Sequence, residues 1–215
     1  MNQDIERLAG IAGKLGRRGP LAKTCWRAMP RLWLMTDPRR TPDPAAIARR
    51  LPAGAAIVYR AFGAGDALLI AVRLRAITRA RKQLLLIGAD ARLAMKAHAD
   101  GVHLPERLAA LAPRLRRAHP RWRITAAAHG PRAIKAASRL KIDAVIVSAV
   151  FPSLSSSAGR PMGAVRLARL TTGSRTPVIA LGGVGAKTAA RLIGAGAAGL
   201  AAVEALAERQ DLIQS

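Results

Sequence analysis

The chain has 215 residues, of which 51% are hydrophobic, and its formal net charge at pH 7 is +24. This length and apolar content exclude a mostly disordered chain and suffice for one large α/β domain. No apolar run has transmembrane length, the N-terminal MNQDIERLAG does not resemble a secretory signal, and the single cysteine, Cys25, excludes an internal disulfide. We therefore expect a cytoplasmic protein with no membrane partner.

The positive charge indicates anionic partners. Basic residues are spread along the chain, as in RLRAITRARK and RLRRAHPRWR, where they alternate with apolar residues as on the solvated faces of helices. Aromatic residues make up 3% of the chain, which leaves few stacking platforms for single-stranded nucleic acid. The composition favours phosphorylated small molecules as ligands, keeps nucleic acid as the less favoured alternative, and leaves the oligomeric state open.

From residue 31 onward the chain repeats one pattern, a short apolar strand followed by a helix. Before it, residues 1–30 are predicted to form a basic extension with one amphipathic helix, DIERLAGIAGKLG, packed loosely on the domain. Strands are predicted at 31–36, 55–60, 83–88, 100–104, 123–128, 143–150, 177–182 and 198–203. The helices that follow them are predicted at 42–51, 65–82, 89–99, 105–118, 131–140, 161–170, 186–196 and 204–213.

The alternation determines the predicted fold class. Short continuous apolar strands separated by helices indicate parallel strands that are buried on both faces. Eight such units within residues 31–215 predict a (β/α)₈ TIM barrel rather than an open doubly wound sheet. The open sheet is the structural alternative, but the chain reads MTDPRRTPD after its first strand, where a GxGxxG motif is usual. In a barrel, the chemistry lies on the loops that follow the strands.

The ends of the first four strands carry four polar candidates. Asp37 and Asp90 are interpreted as caps of the turn or helix that follows, and for Asp37 a position in the pocket is the alternative. Arg60 is either an anion ligand at the barrel mouth or one of the many outward arginines. His103, within DGVHL, is interpreted as a hydrogen-bonded core side chain.

The fifth and sixth strand ends are more suggestive of chemistry. His129 follows the fifth strand, where it would either move a proton near neutral pH or hydrogen-bond within the loop. The sixth strand runs into FPSLSSSAGRPMG, in which Ser153 and Ser155 are the hydroxyls best placed to bind a phosphate if the loop wraps around one.

The seventh strand ends in paired glycines within PVIALGGVGA. Gly182 and Gly183 have no side chains to hold the backbone away from a ligand, and their amides can face an anion. A tight turn without a ligand is the alternative. Because the loops after strands seven and eight often form a phosphate clamp in TIM barrels, the predicted fold favours the phosphate.

Five segments taken together resemble the thiamine phosphate synthase and TenI family over residues 31–207: RLWLMTDP, ADGVHLPE, FPSLSSS, PVIALGGV and GAGAAGLAAVEAL. The resemblance implies a (β/α)₈ barrel that binds a thiazole phosphate at its mouth. The synthase branch joins this phosphate to hydroxymethylpyrimidine diphosphate with magnesium and releases pyrophosphate. Some members of the TenI branch instead isomerise a thiazole carboxylate phosphate with a histidine.

The resemblance also assigns roles to positions that keep the family pattern. His129 falls at the catalytic histidine of the TenI branch. The positions implied to bind substrate or phosphate are Arg60, Ser153, Ser155, Gly182, Gly183 and Gly199.

Other positions depart from the synthase pattern. Ala89 and Leu108 stand where the two magnesium-binding aspartates of the synthases would be, and neither side chain supplies an oxygen ligand. The lysine of the strand-six loop is absent, Ala127 replaces a serine, and Glu204 stands where a serine is usual near the phosphate. We therefore predict no metal cofactor.

The preferred interpretation is a TenI-like, metal-independent enzyme that handles a thiazole phosphate or a related heterocycle phosphate. The enzymatic alternative is a divergent synthase in which Asp90 and Glu106 recruit magnesium. The non-enzymatic alternative is an inactive barrel that serves as a sensor or as a basic interaction protein.

Overall fold

The computed structural model describes residues 3–16, 29–153 and 159–207. Eight parallel strands close into a barrel in sequence order, and β8 pairs with β1. They are β1 (Leu32–Met35), β2 (Ala56–Tyr59), β3 (Leu84–Gly88), β4 (Gly101–Leu104), β5 (Arg123–Ala128), β6 (Ala144–Val147), β7 (Val178–Ala180) and β8 (Gly199–Ala202). The predicted (β/α)₈ fold class is therefore confirmed.

The α-helices lie outside the barrel. The first precedes β1 in the chain, and the others follow strands β1 to β6 in order. They are α1 (Gln3–Lys14), α2 (Pro44–Arg50), α3 (Ala67–Ala80), α4 (Ala91–Lys96), α5 (Ala112–Ala118), α6 (Pro131–Arg139) and α7 (Gly163–Thr172). Short 3₁₀ segments cover Glu106–Leu111, Ala189–Leu192 and Glu204–Leu206. No helix within the described ranges combines the length and apolarity that a membrane crossing requires.

The helix predicted after β7 does not form. The structure has a single 3₁₀ turn, Ala189–Leu192, within the predicted range 186–196. Gly194 and Gly196 adopt φ angles of +86° and +71°, which no α-helix accommodates, so the helical segment ends early. After β8 only Glu204–Leu206 is seen as a 3₁₀ turn, and residues 208–213 of the predicted last helix lie outside the described residues.

The N-terminal helix packs more closely than predicted. Its apolar residues Ile5, Leu8 and Ile11 are buried in the same core as the barrel, and Leu8 is fully inaccessible. Arg31, just before β1, donates a hydrogen bond of 2.9 Å to the carbonyl of Gly13. The prediction of loose packing was wrong, because the burial of one continuous apolar face fixes α1 against the barrel.

Two helix arginines stabilise the amino end of the barrel. Arg75 of α3 pairs with Asp100, whose Oδ2 also accepts the Leu85 amide. Arg116 of α5 pairs with Asp143, whose Oδ2 accepts the Ile124 amide. Each aspartate thus connects a helix to the start of a strand. The candidate site lies at the opposite end of the barrel, on the loops that follow the carboxyl ends of the strands, which we call the carboxyl rim.

Candidate active site

His129 and Glu106 form a pair at the carboxyl rim. Glu106 follows β4 and His129 follows β5, so their loops are neighbours. Glu106 Oε2 accepts hydrogen bonds from the backbone amide of His129 and from its ring Nδ1, each at 2.7 Å. Because a carboxylate only accepts, Nδ1 is the donor in this bond, and in the neutral imidazole Nε2 is then the ring nitrogen without a proton. Both side chains are exposed to solvent, 58% for His129 and 42% for Glu106.

The carboxylates near this rim do not fit a divalent cation. Asp90 Oδ1 accepts the Leu93 amide at 2.8 Å and so caps α4, as the sequence predicted. Glu106 Oε2 is occupied by its two bonds to His129. Within the described ranges, no three carboxylate, imidazole or thiol groups converge as metal ligands would. Mg²⁺ requires several oxygen ligands in octahedral geometry, and this donor set does not supply them.

Arg60, directly after β2, is held by hydrogen bonds from its backbone and its side chain to Thr36. Its backbone amide donates to Thr36 Oγ1 at 2.9 Å, and its Nε donates to the Thr36 carbonyl at 2.6 Å. Its Nη2 is buried, forms an ion pair with Asp37 Oδ2 at 3.8 Å and has no hydrogen-bond partner among the described residues. The guanidinium therefore keeps one donor that no described residue uses.

Two polar side chains, His103 and Thr125, are buried near Arg60. A Cβ on Gly88 would lie 2.9 Å from Arg60 Cγ, so the glycine makes room for the arginine to cross β3. Beyond it lies buried His103, whose Nδ1 is 3.0 Å from Thr125 Oγ1, which confirms the predicted core role. Burial, followed by the charge of Arg60, lowers the pKa of His103 to about 3. His103 is therefore neutral at ordinary pH.

Arg40 connects the loops that follow β1 and β8. Its Nη2 lies 3.0 Å from Asp37 Oδ2, and its Nη1 lies 3.7 Å from Glu204 Oε1. Asp37 also accepts the backbone amides of Arg39 and Arg40, so it caps its turn as predicted, and the hydrogen bond from Arg40 contributes most to lowering its pKa. The carboxylates of Asp37 and Glu204 thus both lie beside the guanidinium of Arg40.

The paired glycines let the loop after β6 pass close to the loop after β7. Gly182 and Gly183 adopt φ angles of +92° and +61°. A Cβ on Gly183 would lie 2.2 Å from the Pro152 carbonyl oxygen, and one on Gly182 would lie 2.8 Å from Ala149 Cα. The Phe151 amide donates to the Gly182 carbonyl at 2.9 Å. The close approach of the chain to itself is sufficient reason for both glycines.

Thr188 stabilises the loop that follows β7 through two hydrogen bonds. Thr188 Oγ1 donates to the Gly183 carbonyl at 2.7 Å and accepts the Gly185 amide at 2.9 Å. With the carbonyls of both glycines engaged, the backbone of this loop is held in one conformation. Of the two predicted loop hydroxyls, Ser153 lies at the edge of the described part of the β6 loop and Ser155 lies outside the described residues.

Gly199 does not lie at the rim. It is the first residue of β8, and a Cβ there would lie 2.6 Å from the Arg31 carbonyl oxygen, next to the start of β1. The carboxyl end of β8 is three residues further on, about 10 Å away along the strand. The assignment of Gly199 to a phosphate clamp is therefore corrected: its missing side chain admits the backbone that enters β1.

Two features of the rim were not predicted. From the sequence, Glu106 was predicted only as an alternative magnesium ligand, and Arg40 was assigned no partner. The positions of Glu106 and His129 after consecutive strands were a usable signal, since neighbouring parallel strands bring such residues together. No sequence pattern indicated that Arg40 would connect Asp37 with Glu204.

Comparison with known proteins identifies one family. The family model described as thiamine monophosphate synthase matches residues 32–206. A thiamine-phosphate synthase of Thiobacillus denitrificans is 32% identical over 182 residues, which cover 81% of this chain and 86% of that protein. One of Bacillus velezensis is 27% identical over 188 residues, covering 83% and 84% of the two chains.

Two further matches have narrower meaning. A relative from Aquifex aeolicus is 33% identical over 116 residues. The match covers 54% of this chain and 61% of the relative, which is less than two thirds of the relative's length. The solved structure of a thiamine phosphate pyrophosphorylase from Pyrococcus furiosus superposes with a TM-score of 0.74 at 22% identity, covering 86% of this chain and 91% of that one. At this identity the likeness concerns the fold alone.

Proposed function

The chain belongs to the thiamine monophosphate synthase family, and from this premise we propose that it isomerises a thiazole carboxylate phosphate at the carboxyl rim without a metal ion. The observation that carries the proposal is the hydrogen-bonded pair of His129 and Glu106, which leaves His129 Nε2 as a free base. A carboxylate that holds an imidazole in one tautomer and stabilises its charged form is a recurrent arrangement in acid–base catalysis.

The phosphate binds at the positive side of the rim. The amides of Gly182 and Gly183 lie on a loop whose carbonyls are already engaged, and the buried Nη2 of Arg60 supplies a charged donor. Ser153 contributes from the β6 loop, and Ser155 is proposed for the same role. Arg40 partly offsets the repulsion between the carboxylate of Glu204 and the anion. A charge-assisted hydrogen bond to a phosphate contributes about 1.5 to 3 kcal/mol, so Arg60 is the principal anchor.

The isomerisation is a proton transfer within one substrate. Nε2 of His129 removes a proton from the ring carbon, and the electron pair shifts so that the exocyclic double bond moves into the ring. The imidazolium, stabilised by Glu106, then returns the proton to the exocyclic carbon. No group leaves and no electron is exchanged with a second molecule, so neither a cofactor nor a metal ion is required for the balance of this step.

The test follows isomerisation by proton NMR in D₂O that contains a chelator. We expect turnover, with deuterium at the exocyclic carbon because the imidazolium proton exchanges with solvent. His129→Asn is expected to lose about 10²- to 10⁴-fold in kcat while the affinity for thiazole phosphate changes little. The matched control is His98→Asn, since His98 is also exposed but precedes β4 at the opposite end of the barrel. Full activity in His129→Asn would contradict the mechanism.

A second candidate is thiamine phosphate synthesis itself, because the relatives from Thiobacillus and Bacillus carry that name. It would require magnesium, and Asp90 and Glu106 are occupied by a helix cap and by His129. Pyrophosphate release from hydroxymethylpyrimidine diphosphate and thiazole phosphate, abolished by a chelator, would establish this candidate in place of the isomerase. Binding of thiazole phosphate with neither reaction would indicate a sensor.

A further inference from the structure

The outer wall of the barrel contains a basic groove that the proposed reaction does not use. A cavity of about 600 Å³ lies between α6 and the end of α7. Four cationic side chains and two hydroxyl side chains line it: Lys135, Ser138, Arg139, Arg169, Ser174 and Arg175. Among the described residues, no acidic side chain lines it. We refer to it as the α6–α7 groove.

Unlike Arg75 and Arg116, the cations of this groove have no carboxylate partner among the described residues. Arg75 and Arg116 are neutralised by Asp100 and Asp143. In the described part of the chain, none of the four groove cations forms an ion pair, and all four are exposed. Four uncompensated charges around one concavity repel one another, so an anion that enters is favoured by all four.

We propose that the α6–α7 groove binds a single strand of nucleic acid through its phosphate backbone. A phosphodiester chain carries negative charges at regular spacing and matches cations distributed along two helices. Because the four cations come from α6, from α7 and from the turn after α7, a chain of phosphates can contact more of them at once than one small anion can.

The chemistry of the groove also determines the kind of binding. None of its described lining residues is an aromatic side chain on which a base could stack. Its donors are cations and hydroxyls, which contact phosphates and carry little sequence information. Binding is therefore independent of sequence and strongly dependent on salt. For single strands the slope of log K against log salt is about −0.7 per neutralised phosphate, so four contacts contribute about −2.8.

The test separates the groove from the general positive charge of the chain. Fluorescence anisotropy of a labelled 12-residue oligouridylate is followed as a function of salt for the full chain and two double variants. Arg139→Gln with Arg169→Gln removes two groove cations. Arg73→Gln with Arg79→Gln removes two exposed cations of α3, and Arg79, like Arg139, lies in the last turn of its helix. The net charge of the two variants is the same.

We expect the slope of the groove variant to fall in magnitude by about 1.4 relative to the full chain, and the α3 variant to keep the slope of the full chain. Equal losses in both variants would show that the charge acts as a whole and would overturn the proposal. So would the absence of saturable binding at about 50 mM salt. If the groove variant lost binding to phosphatidylserine vesicles but kept its RNA affinity, the groove would be a membrane site instead. All these outcomes are independent of isomerase activity.

Discussion

One carboxylate oxygen of Glu106 accepts both the backbone amide and the ring Nδ1 of His129, at 2.7 Å each. The first bond fixes the loop that carries the histidine, and the second fixes its tautomer. The pair is formed by residues that follow β4 and β5, so the closure of the barrel itself brings them together.

Replacing Glu106 by Gln should lower kcat for isomerisation while leaving the affinity for thiazole phosphate unchanged. The amide no longer stabilises the imidazolium, and a hydrogen bond to a charged group contributes about 1.5 to 3 kcal/mol. Because both side chains are exposed, we expect the lower end of this range, about a tenfold loss. Steady-state kinetics measure it. A rise in KM with unchanged kcat would show that Glu106 only shapes the loop.

Changes at Glu204 should alter anion affinity through charge alone. Glu204→Gln removes a carboxylate near the proposed phosphate site, and Arg40→Met removes the cation that compensates it. Since the pair is partly exposed, we expect the affinity for thiazole phosphate to rise about two- to fivefold in the first variant and to fall by a similar factor in the second. Titration calorimetry gives both values. Affinities that change in the same direction would contradict this electrostatic role.

Gly183→Ala should destabilise the fold more than Gly54→Ala. Both glycines have positive φ angles, +61° and +76°, and each alanine costs about 1 to 2 kcal/mol for that conformation. Gly54 has open space around it, whereas a Cβ on Gly183 meets the Pro152 carbonyl and adds about 1 to 3 kcal/mol of overpacking. Urea unfolding measures the difference. Equal free energies of unfolding would mean that the β6 loop moves aside at no cost.

Buried His103 should make the fold less stable as the pH falls below neutrality. Its pKa is lowered from 6.5 to about 3, so between these values the unfolded chain binds a proton that the native chain does not. The contribution of His103 to the free energy of unfolding is therefore fully present above about pH 6.5 and falls toward acid pH, by at most about 1.4 kcal/mol per pH unit. Asp37, whose pKa is lowered from 3.8, adds its own loss only at lower pH.

The check for His103 is urea unfolding between about pH 7 and pH 4.5, which avoids the range in which Asp37 titrates. His103→Gln removes the titrating group and should reduce the slope of stability against pH in this interval. If the variant kept the wild-type slope of unfolding free energy against pH, another titrating group would be responsible for the loss of stability.

The sequence predicted the strands better than the segments around the last two of them. Apolar runs such as QLLLIG and RITAAA are buried on both faces and leave little choice of structure, so β3 and β5 lie where predicted. The segment 186–196 has helical spacing, but Gly194 and Gly196 adopt backbone angles that only the tertiary structure reveals. The prediction that Gly199 binds phosphate was wrong for a related reason. A glycine in a strand pattern does not indicate whether its missing side chain makes room for a ligand or for a neighbouring backbone.

The sequence predicted that His129 and Arg60 follow the ends of strands, and both do. It did not identify the partners Glu106 and Thr36, because such contacts depend on distances between different strands. The glycine pair shows the same limit. Gly182 and Gly183 were interpreted through a ligand, whereas the structure supplies a reason within the chain itself, the close passage of Pro152 and Ala149.

The central claim is that this rim binds a thiazole phosphate without a metal ion. Titration calorimetry of the full chain with thiazole phosphate, once with a chelator and once with magnesium, tests it most directly. We predict saturable binding of one ligand per chain with the same Kd in both solutions. Binding that requires magnesium, or none in either solution, would contradict the account.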